Sequence, residues 1–212
     1  MEITQGVYML DCTEKSHAYL IQGEENILID SGSPGLAQKI LDEINSIGID
    51  PSTINHILLT HHDVDNVGNA RILQENTGAM LWASKEDMPY IIRRKSRRGI
   101  KRIIQTFVRY KKPVINKVYN KYDIIGGIQV IKTPGHTPGH VIFLYKNILF
   151  SGDLFKITKG KIKLVSDGEN WNKYNLEKSL SLLKNIECQW ICPSHGSPIE
   201  RNEVWENFIN KY

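Results

Sequence analysis

Histidines and carboxylates recur in this chain at one kind of place, the point where an apolar run of strand length gives way to a loop. Asp30 follows Ile27-Leu28-Ile29, and His61-His62-Asp63-Val64-Asp65-Asn66 follows Ile57-Leu58-Leu59. Asp153 follows Ile148-Leu149-Phe150-Ser151-Gly152, and His195 comes just after Trp190-Ile191-Cys192. His136 lies in the Pro/Gly-rich loop Thr133–Gly139. Sites are built at the ends of rigid elements because the scaffold holds the side chains in place. Imidazoles and carboxylates brought from several strand ends are what a divalent cation requires.

The elements that must position these groups are visible as patterns. Val7–Leu10, Ala18–Gln22 and Asn26–Asp30 read as short strands separated by turn residues. Ser33-Pro34-Gly35 opens a helix whose apolar face is Leu36, Ile40, Leu41, Ile44 and Ile47, and Gly48 stops it. A buried strand is expected over His56–Thr60, a helix over Gly68–Asn76 and a strand over Ala79–Ala83. The second half gives strands Ile128–Lys132, His140–Tyr145 and Ile148–Gly152, a helix Asn175–Ile186 and a last strand Gln189–Cys192. Strands in both halves with helices between them predict an α/β sandwich of two packed sheets.

With 212 residues, 41% of them hydrophobic, the chain is long enough for one sizeable core, and a single domain over 1–212 is expected. No apolar run approaches the ~20 residues of a membrane span. The start MEITQGVYML is unlike a signal peptide. Cys12, Cys188 and Cys192 fit no disulfide framework and read as packed thiols, so a cytoplasmic location is expected.

The net charge of +4 hides an asymmetry. Between Met88 and Tyr122 stand twelve Lys or Arg and no acid, which leaves fifteen basic against twenty-three acidic residues elsewhere. This basic insert, about 84–118, contains Ile100, Ile103, Ile104, Phe107 and Val108 at helical spacing, a stripe expected to pack over the core. Its cations form either a solvated face or an anion-attracting wall beside the site.

Five segments, in order, resemble the motifs of the metallo-β-lactamase superfamily. Thr60-His61-His62-Asp63-Val64-Asp65-Asn66-Val67-Gly68 is similar to its T-H-x-H-x-D-H-x-G motif, and Thr133–Gly139 to its T-P-G-H-T-P-G loop. Ser151-Gly152-Asp153 resembles its bridging aspartate, Pro193-Ser194-His195-Gly196 its last ligand, and Leu28-Ile29-Asp30-Ser31-Gly32 its first motif. The resemblance implies a four-layer αβ/βα sandwich with two metals at its edge. One site would take His61, Asp63 and His136, the other Asp65, position 66 and His195, with Asp153 bridging. Asp63 and Asn66 stand where histidine is usual. Asp63 remains a good ligand, whereas Asn66 offers only a neutral carbonyl and reads either as a weak ligand or as a bystander.

The resemblance also implies roles. Asp30 is expected to hold the His61 loop by hydrogen bonds. Asp65 is the candidate catalytic residue, orienting the nucleophile and handling its proton. His62 sits between ligands and is expected to point away from the metal, with His140 a supporting or structural residue and His17 and His56 ordinary packed histidines. Trp171 and Tyr174 are candidates for the pocket wall by position. One or two divalent ions are expected, zinc first, with manganese or iron tolerated by an oxygen-rich cage. Such a cation lowers the pKa of bound water from 15.7 to about 7 and supplies hydroxide. The function this implies is hydrolysis of an ester, thioester, lactone or phosphoester of a small, anionic molecule. Rival readings are a nuclease whose insert binds nucleic acid, a di-iron oxidoreductase and a decayed metal-binding module. The apolar stripe also raises a homodimer contact.

Overall fold

Alternation along the strands decides which side chains meet which layer. In the computed structural model, which describes residues 1–97 and 99–212 without the side chains of residues 100 and 104–106, two sheets face one another. The first contains β1 (Glu2–Thr4), β2 (Val7–Met9), β3 (Tyr19–Ile21), β4 (Asn26–Ile29), β5 (Ile54–Leu58), β6 (Met80–Ala83) and β7 (Lys117–Val118), neighbours in chain order. Pairing is antiparallel as far as β4 and parallel from there to β7. The second contains β8 (Ile124–Ile125), β9 (Ile128–Lys132), β10 (Val141–Tyr145) and β11 (Ile148–Gly152). A separate hairpin, β12 (Lys156–Thr158) with β13 (Lys161–Lys163), precedes its last strands, β14 (Trp190–Pro193) and β15 (Ile199–Glu200). The spatial order is β15-β14-β11-β10-β9-β8, with β11 and β14 parallel.

The helices are α1 (Ala37–Ser46), α2 (Val64–Val67), α3 (Ala70–Thr77), α4 (Met88–Ile91), α5 (Ile100–Phe107), α6 (Lys173–Leu182) and α7 (Glu203–Ile209). Ile27, Ile29, Leu58, Val130, Phe143 and Phe150 pack between the sheets. The alternate residues Leu28 and Ile57 face outward to Ile40 and Ile44 of α1 and Leu73 of α3. On the other side Ile142, Leu149 and Ile191 meet Leu176 and Leu180 of α6 and Trp205 and Phe208 of α7. The result is four layers, αβ/βα, as the sequence pattern and the resemblance implied. Each fully buried Phe or Leu contributes about 1.5–3 kcal/mol, so these three apolar interiors are what hold the strand ends still. Among the described residues no helix is long and apolar enough to cross a membrane.

Three differences from the sequence expectations have physical causes. The helix expected over Gly68–Asn76 starts instead at Ala70 as α3, and the helical run that begins at Val64 breaks between α2 and α3. Asn69 interrupts it: its Nδ2 donates to Ser31 O (2.6 Å) and Ser33 O (2.7 Å), and its Oδ1 accepts from the amides of Gly35 and Leu36, both 3.0 Å. The helix expected over Asn175–Ile186 starts earlier, at Lys173, because Asn172 caps it through the Asn175 amide (2.9 Å), and it ends at Leu182. Two residues of the insert's apolar stripe do not pack over the core as expected. Ile103 and Phe107 are 60% and 81% exposed. A helix turns about 100° per residue, so with Lys101 directed inward Ile103 lies on the opposite side. The side chains of Ile100 and Ile104 lie outside the described residues.

Candidate metal centre

Four strand ends open on one cleft. β4 delivers Asp30, buried and at φ 58° in the left-handed region. That kink lets its carboxylate reach across to the chain after β5, accepting from the Thr60 amide (2.8 Å) and the Thr60 hydroxyl (2.7 Å). The hydroxyl proton is thereby committed to Asp30, so Thr60 Oγ1 accepts from His61 Nδ1 at 2.9 Å. The consequence is a fixed tautomer: His61 presents a bare Nε2 to the cleft. Burial lifts Asp30 to about 6, with His61 and Thr60 opposing the rise.

The other two imidazoles are set the same way by different partners. His136 donates from Nδ1 to Asn170 Oδ1 (2.9 Å), and the Asn170 amide nitrogen donates in turn to Ser166 O (3.2 Å). His195 donates from Nδ1 to the Lys15 carbonyl at 2.6 Å. All three rings therefore turn Nε2 toward Asp153. Its Oδ2 lies 3.7 Å from His61 Nε2, 3.5 Å from His136 Nε2 and 3.3 Å from His195 Nε2. Asp63 Oδ2 lies 3.7 Å from His61 and 3.2 Å from His136, whereas Asp65 Oδ2 lies 3.5 Å from His195.

Asp153 is itself held by His140. Burial drives the His140 pKa well down, and His61 and His136 push it further, so the ring is neutral. Its Nδ1 donates to Thr133 Oγ1 (2.9 Å) and its Nε2 accepts from the Asp153 amide (3.1 Å). Gly152, at φ 52°, makes this possible: a Cβ there would stand 2.6 Å from His140 Nε2.

The donor set fits a divalent cation. One ligand atom from each of His61, Asp63, His136 and Asp153 lies within 4.8 Å of all the others. Among the described residues, His61 Nε2, Asp63 Oδ1 and Asp153 Oδ1 are buried polar atoms with no hydrogen-bond partner, which is costly unless something charged satisfies them. The electrostatics agree. Burial would raise Asp153, yet His61 and His195 hold it well below the usual carboxylate range. Burial would lower His195, yet Asp153 and Asp65 push it up to about 9. Both shifts say that the carboxylates demand positive charge.

The remaining candidates fall in different places. Asn66 is buried, but its amide is committed: Nδ2 donates to Asp30 Oδ2 (2.9 Å) and Ser194 Oγ (3.0 Å), and Oδ1 accepts from Ser16 Oγ (3.3 Å). It ties Asp30 to the loop before His195 rather than facing the cage. His62 stacks on Tyr90 (centroids 4.6 Å apart) with Nδ1 3.1 Å from Asp87. Trp171 lies edge-on to Tyr90 at 5.8 Å and borders a crevice with His136, Lys101 and Asn170. Tyr174 does not join it: 66% exposed on α6, its ring has the Lys178 ammonium 5.2 Å above it. Leu176 and Leu180 take the buried face of α6, so Tyr174 points to solvent.

Several residues of the site carry no signal in the sequence. Asp87 accepts from Thr137 Oγ1 (2.6 Å) and the Gly139 amide (2.8 Å), pinning the loop that carries His136. Lys101 of α5 donates to Asp63 Oδ2 and lies 2.9 Å from His136 Nε2. Arg97 and Glu169 also line the cleft. In the sequence Lys101 is one cation among many in the insert, and Asp87 one acid just before it.

The fold is an αβ/βα sandwich with a candidate metal-binding cluster at its edge. The chain belongs to the metallo-beta-lactamase superfamily, whose family profile matches residues 13–195. It is 31% identical over 211 residues to the uncharacterized protein YobT of Bacillus subtilis, covering 87% of this chain and 86% of that one. It is 26% identical over 222 residues to the probable metallo-hydrolase YybB of the same organism (92% and 88% covered). With the hydroxyacylglutathione hydrolase of Rhodospirillum rubrum it shares 26% identity over 188 residues, 87% of this chain and 66% of that one. Among solved structures, TTHA1623 in a di-iron-bound form superposes with a TM-score of 0.71 at 26% identity, over 88% of this chain and 90% of that one. Members of the superfamily are metallo-hydrolases that bind divalent metals.

Proposed function

We propose that the protein is a metal-dependent hydrolase of a small anionic ester, thioester, lactone or phosphoester. One observation carries this reading. Three imidazoles, each locked at Nδ1, turn Nε2 toward one carboxylate, Asp153, at the floor of a solvent-open cleft. His61, Asp63 and His136 would hold a cation at one end, Asp65 and His195 at the other, with Asp153 between them. A cation held there supplies Lewis acidity, polarising a substrate oxygen and acidifying water.

The chain's own residues supply the rest. Asp65 is half-exposed at the cleft, raised in pKa by desolvation and by the carboxylates of Asp153 and Asp63. It orients the attacking water and accepts its proton. Arg97 and Lys101 bring positive charge from the insert to the cleft wall, where a carboxylate or phosphate on the substrate meets it. The likeness to a hydroxyacylglutathione hydrolase favours an acyl substrate on an anionic carrier.

The donors are three imidazoles and three carboxylates, with Asn66 spent elsewhere. Such a cage accepts manganese or iron as well as zinc. The decisive experiment is a panel of chromogenic esters, thioesters, lactones and phosphodiesters, each run with zinc, manganese and iron. Turnover that depends on metal with at least one substrate is expected. No turnover across the panel would count against this account, and two tightly held zincs in protein purified without added metal would overturn the tolerance of manganese and iron.

A further inference from the structure

Lys101 is the part of the insert that reaches into the cage itself. Its side chain is 16% exposed, and its ammonium donates to Asp63 Oδ2 while lying 2.9 Å from His136 Nε2. Both atoms belong to the groups whose ligand atoms crowd within 4.8 Å. An ammonium has three donors and no acceptor. His136 Nε2 has one lone pair, since Nδ1 carries the proton given to Asn170. That lone pair cannot serve an ammonium and a metal at once, and Asp63 Oδ2 is taken by the same ammonium.

We propose that Lys101 is a built-in competitor for the inner donor group, so that a divalent cation takes Asp63 and His136 only by expelling Lys101 and α5 from the cleft. This rests on the reading of the cage as a metal site. Two further observations support it. Asp63, Asp65 and Asp153 place three carboxylates in one small region, and the fold itself sets the Lys101 ammonium against Asp63 Oδ2 and the Arg97 guanidinium 3.9 Å from Asp63 Oδ1 as countercharge. Around Lys101, α5 shows little apolar fastening among its described side chains, with Ile103 and Phe107 turned outward. The bonds at stake are charge-assisted and buried. The structure thus assigns Lys101 to setting how much metal the protein holds. Once expelled, it stands at the cleft mouth, where an anionic group would meet it.

The test measures metal binding, not turnover. Zinc and manganese affinities are determined by competition with a chromophoric chelator for the wild type, Lys101→Met and Lys112→Met. The last removes an exposed cation of the same insert and controls for net charge. Lys101→Met is expected to bind at least tenfold more tightly than wild type, with Lys112→Met close to wild type. In parallel, amide hydrogen exchange over residues 99–107 of the wild type is expected to speed up when metal is added. Equal affinities for all three proteins would overturn the proposal while leaving the metal site standing. So would equal gains in both variants, or slower exchange in 99–107 on metal addition. If none of the three proteins binds metal, the cage itself has been misread and the proposal falls with it.

Discussion

The cage has an inner and an outer end, built on different terms. At the inner end the side chains of His61, His136 and Asp63 are 0%, 1% and 10% exposed. Their partners are buried side chains and a loop pinned from a distance: Thr60 and Asp30 behind His61, Asn170 behind His136, Asp87 behind the 133–139 loop. At the outer end His195 and Asp65 are 28% and 37% exposed, and His195 is oriented by a single backbone carbonyl. The difference separates two tasks a few ångströms apart. Inner groups are part of the fold's own hydrogen-bond network, so altering them strikes stability and metal retention. Outer groups face solvent, where in the proposed function a substrate would arrive, so altering them should strike turnover more than stability.

The sharpest way to break this division is Asp65→Asn. The variant keeps the shape and loses the charge. Its kcat on whichever panel substrate is turned over should fall roughly 10²–10⁴-fold, the usual contribution of a general base. Its unfolding free energy should stay within about 0.5 kcal/mol of wild type, as for a side chain outside the core. Undiminished turnover would remove Asp65 from the chemistry. A large loss of stability would remove it from the outer class.

Asp30→Ala tests the inner end in the opposite sense. It strands the buried Thr60 amide and the Asn66 side chain, and a buried donor left unpaired costs about 1–3 kcal/mol. Urea unfolding should show a loss of about 2–5 kcal/mol in all, once the freed Thr60 hydroxyl and His61 ring are included. A loss below about 1 kcal/mol would mean that the relay to His61 is not held from Asp30.

What the sequence revealed follows the same division. The candidate ligands were legible as a set that converges on one cleft because each sits at a break between an apolar run and a polar loop, and because His and Asp at such breaks are chemically conspicuous. The four-layer fold was legible because neighbouring residues such as Ile27 and Leu28, or Ile142 and Phe143, face different apolar layers and leave near-continuous hydrophobic runs. Of the supports, Asp30 and His140 were legible at their own strand ends, whereas the partners brought in from a distance were not. Asp87 and Thr137 are 50 residues apart, His136 and Asn170 are 34 apart, and Lys101 and Asp63 are 38 apart. No local pattern encodes such pairings, which the packed layers create. Short polar elements such as β12 and β13, or the α7 segment capped by Asn202, also lack the long periodic runs that announce a strand or helix.

A subtler test concerns the hand-off from fold to ligand at His136. Asn170→Ala removes the acceptor that fixes the ring while leaving every ligand in place. Metal affinity should drop roughly 10–100-fold, the usual effect of losing a partner behind a metal-binding histidine. Competition with a chelator would read it, and stability without metal should change little. Unchanged affinity would place the orientation of His136 with the backbone of the 133–139 loop instead.

Asp87 should show an effect of similar size with the most specific signature. Burial pushes its carboxyl up, but His62 beside it and the Thr137 hydroxyl outweigh this and hold it below the usual carboxylate value. A carboxylate depressed in the folded state contributes stability that is present above its unfolded pKa near 3.9 and is lost as pH falls through the folded value. At pH 7 the Asp87→Asn variant should therefore be about 1.5–3 kcal/mol less stable than wild type, the range for hydrogen bonds to a charged group. As pH falls below about 4 the unfolded chain protonates first, and the contribution of Asp87 is lost progressively down through its lower folded value, so the two unfolding curves should draw together. A gap that stays constant from pH 7 to pH 3 would show that the loop around His136 is held by the shape of the Asp87 side chain and not by its charge.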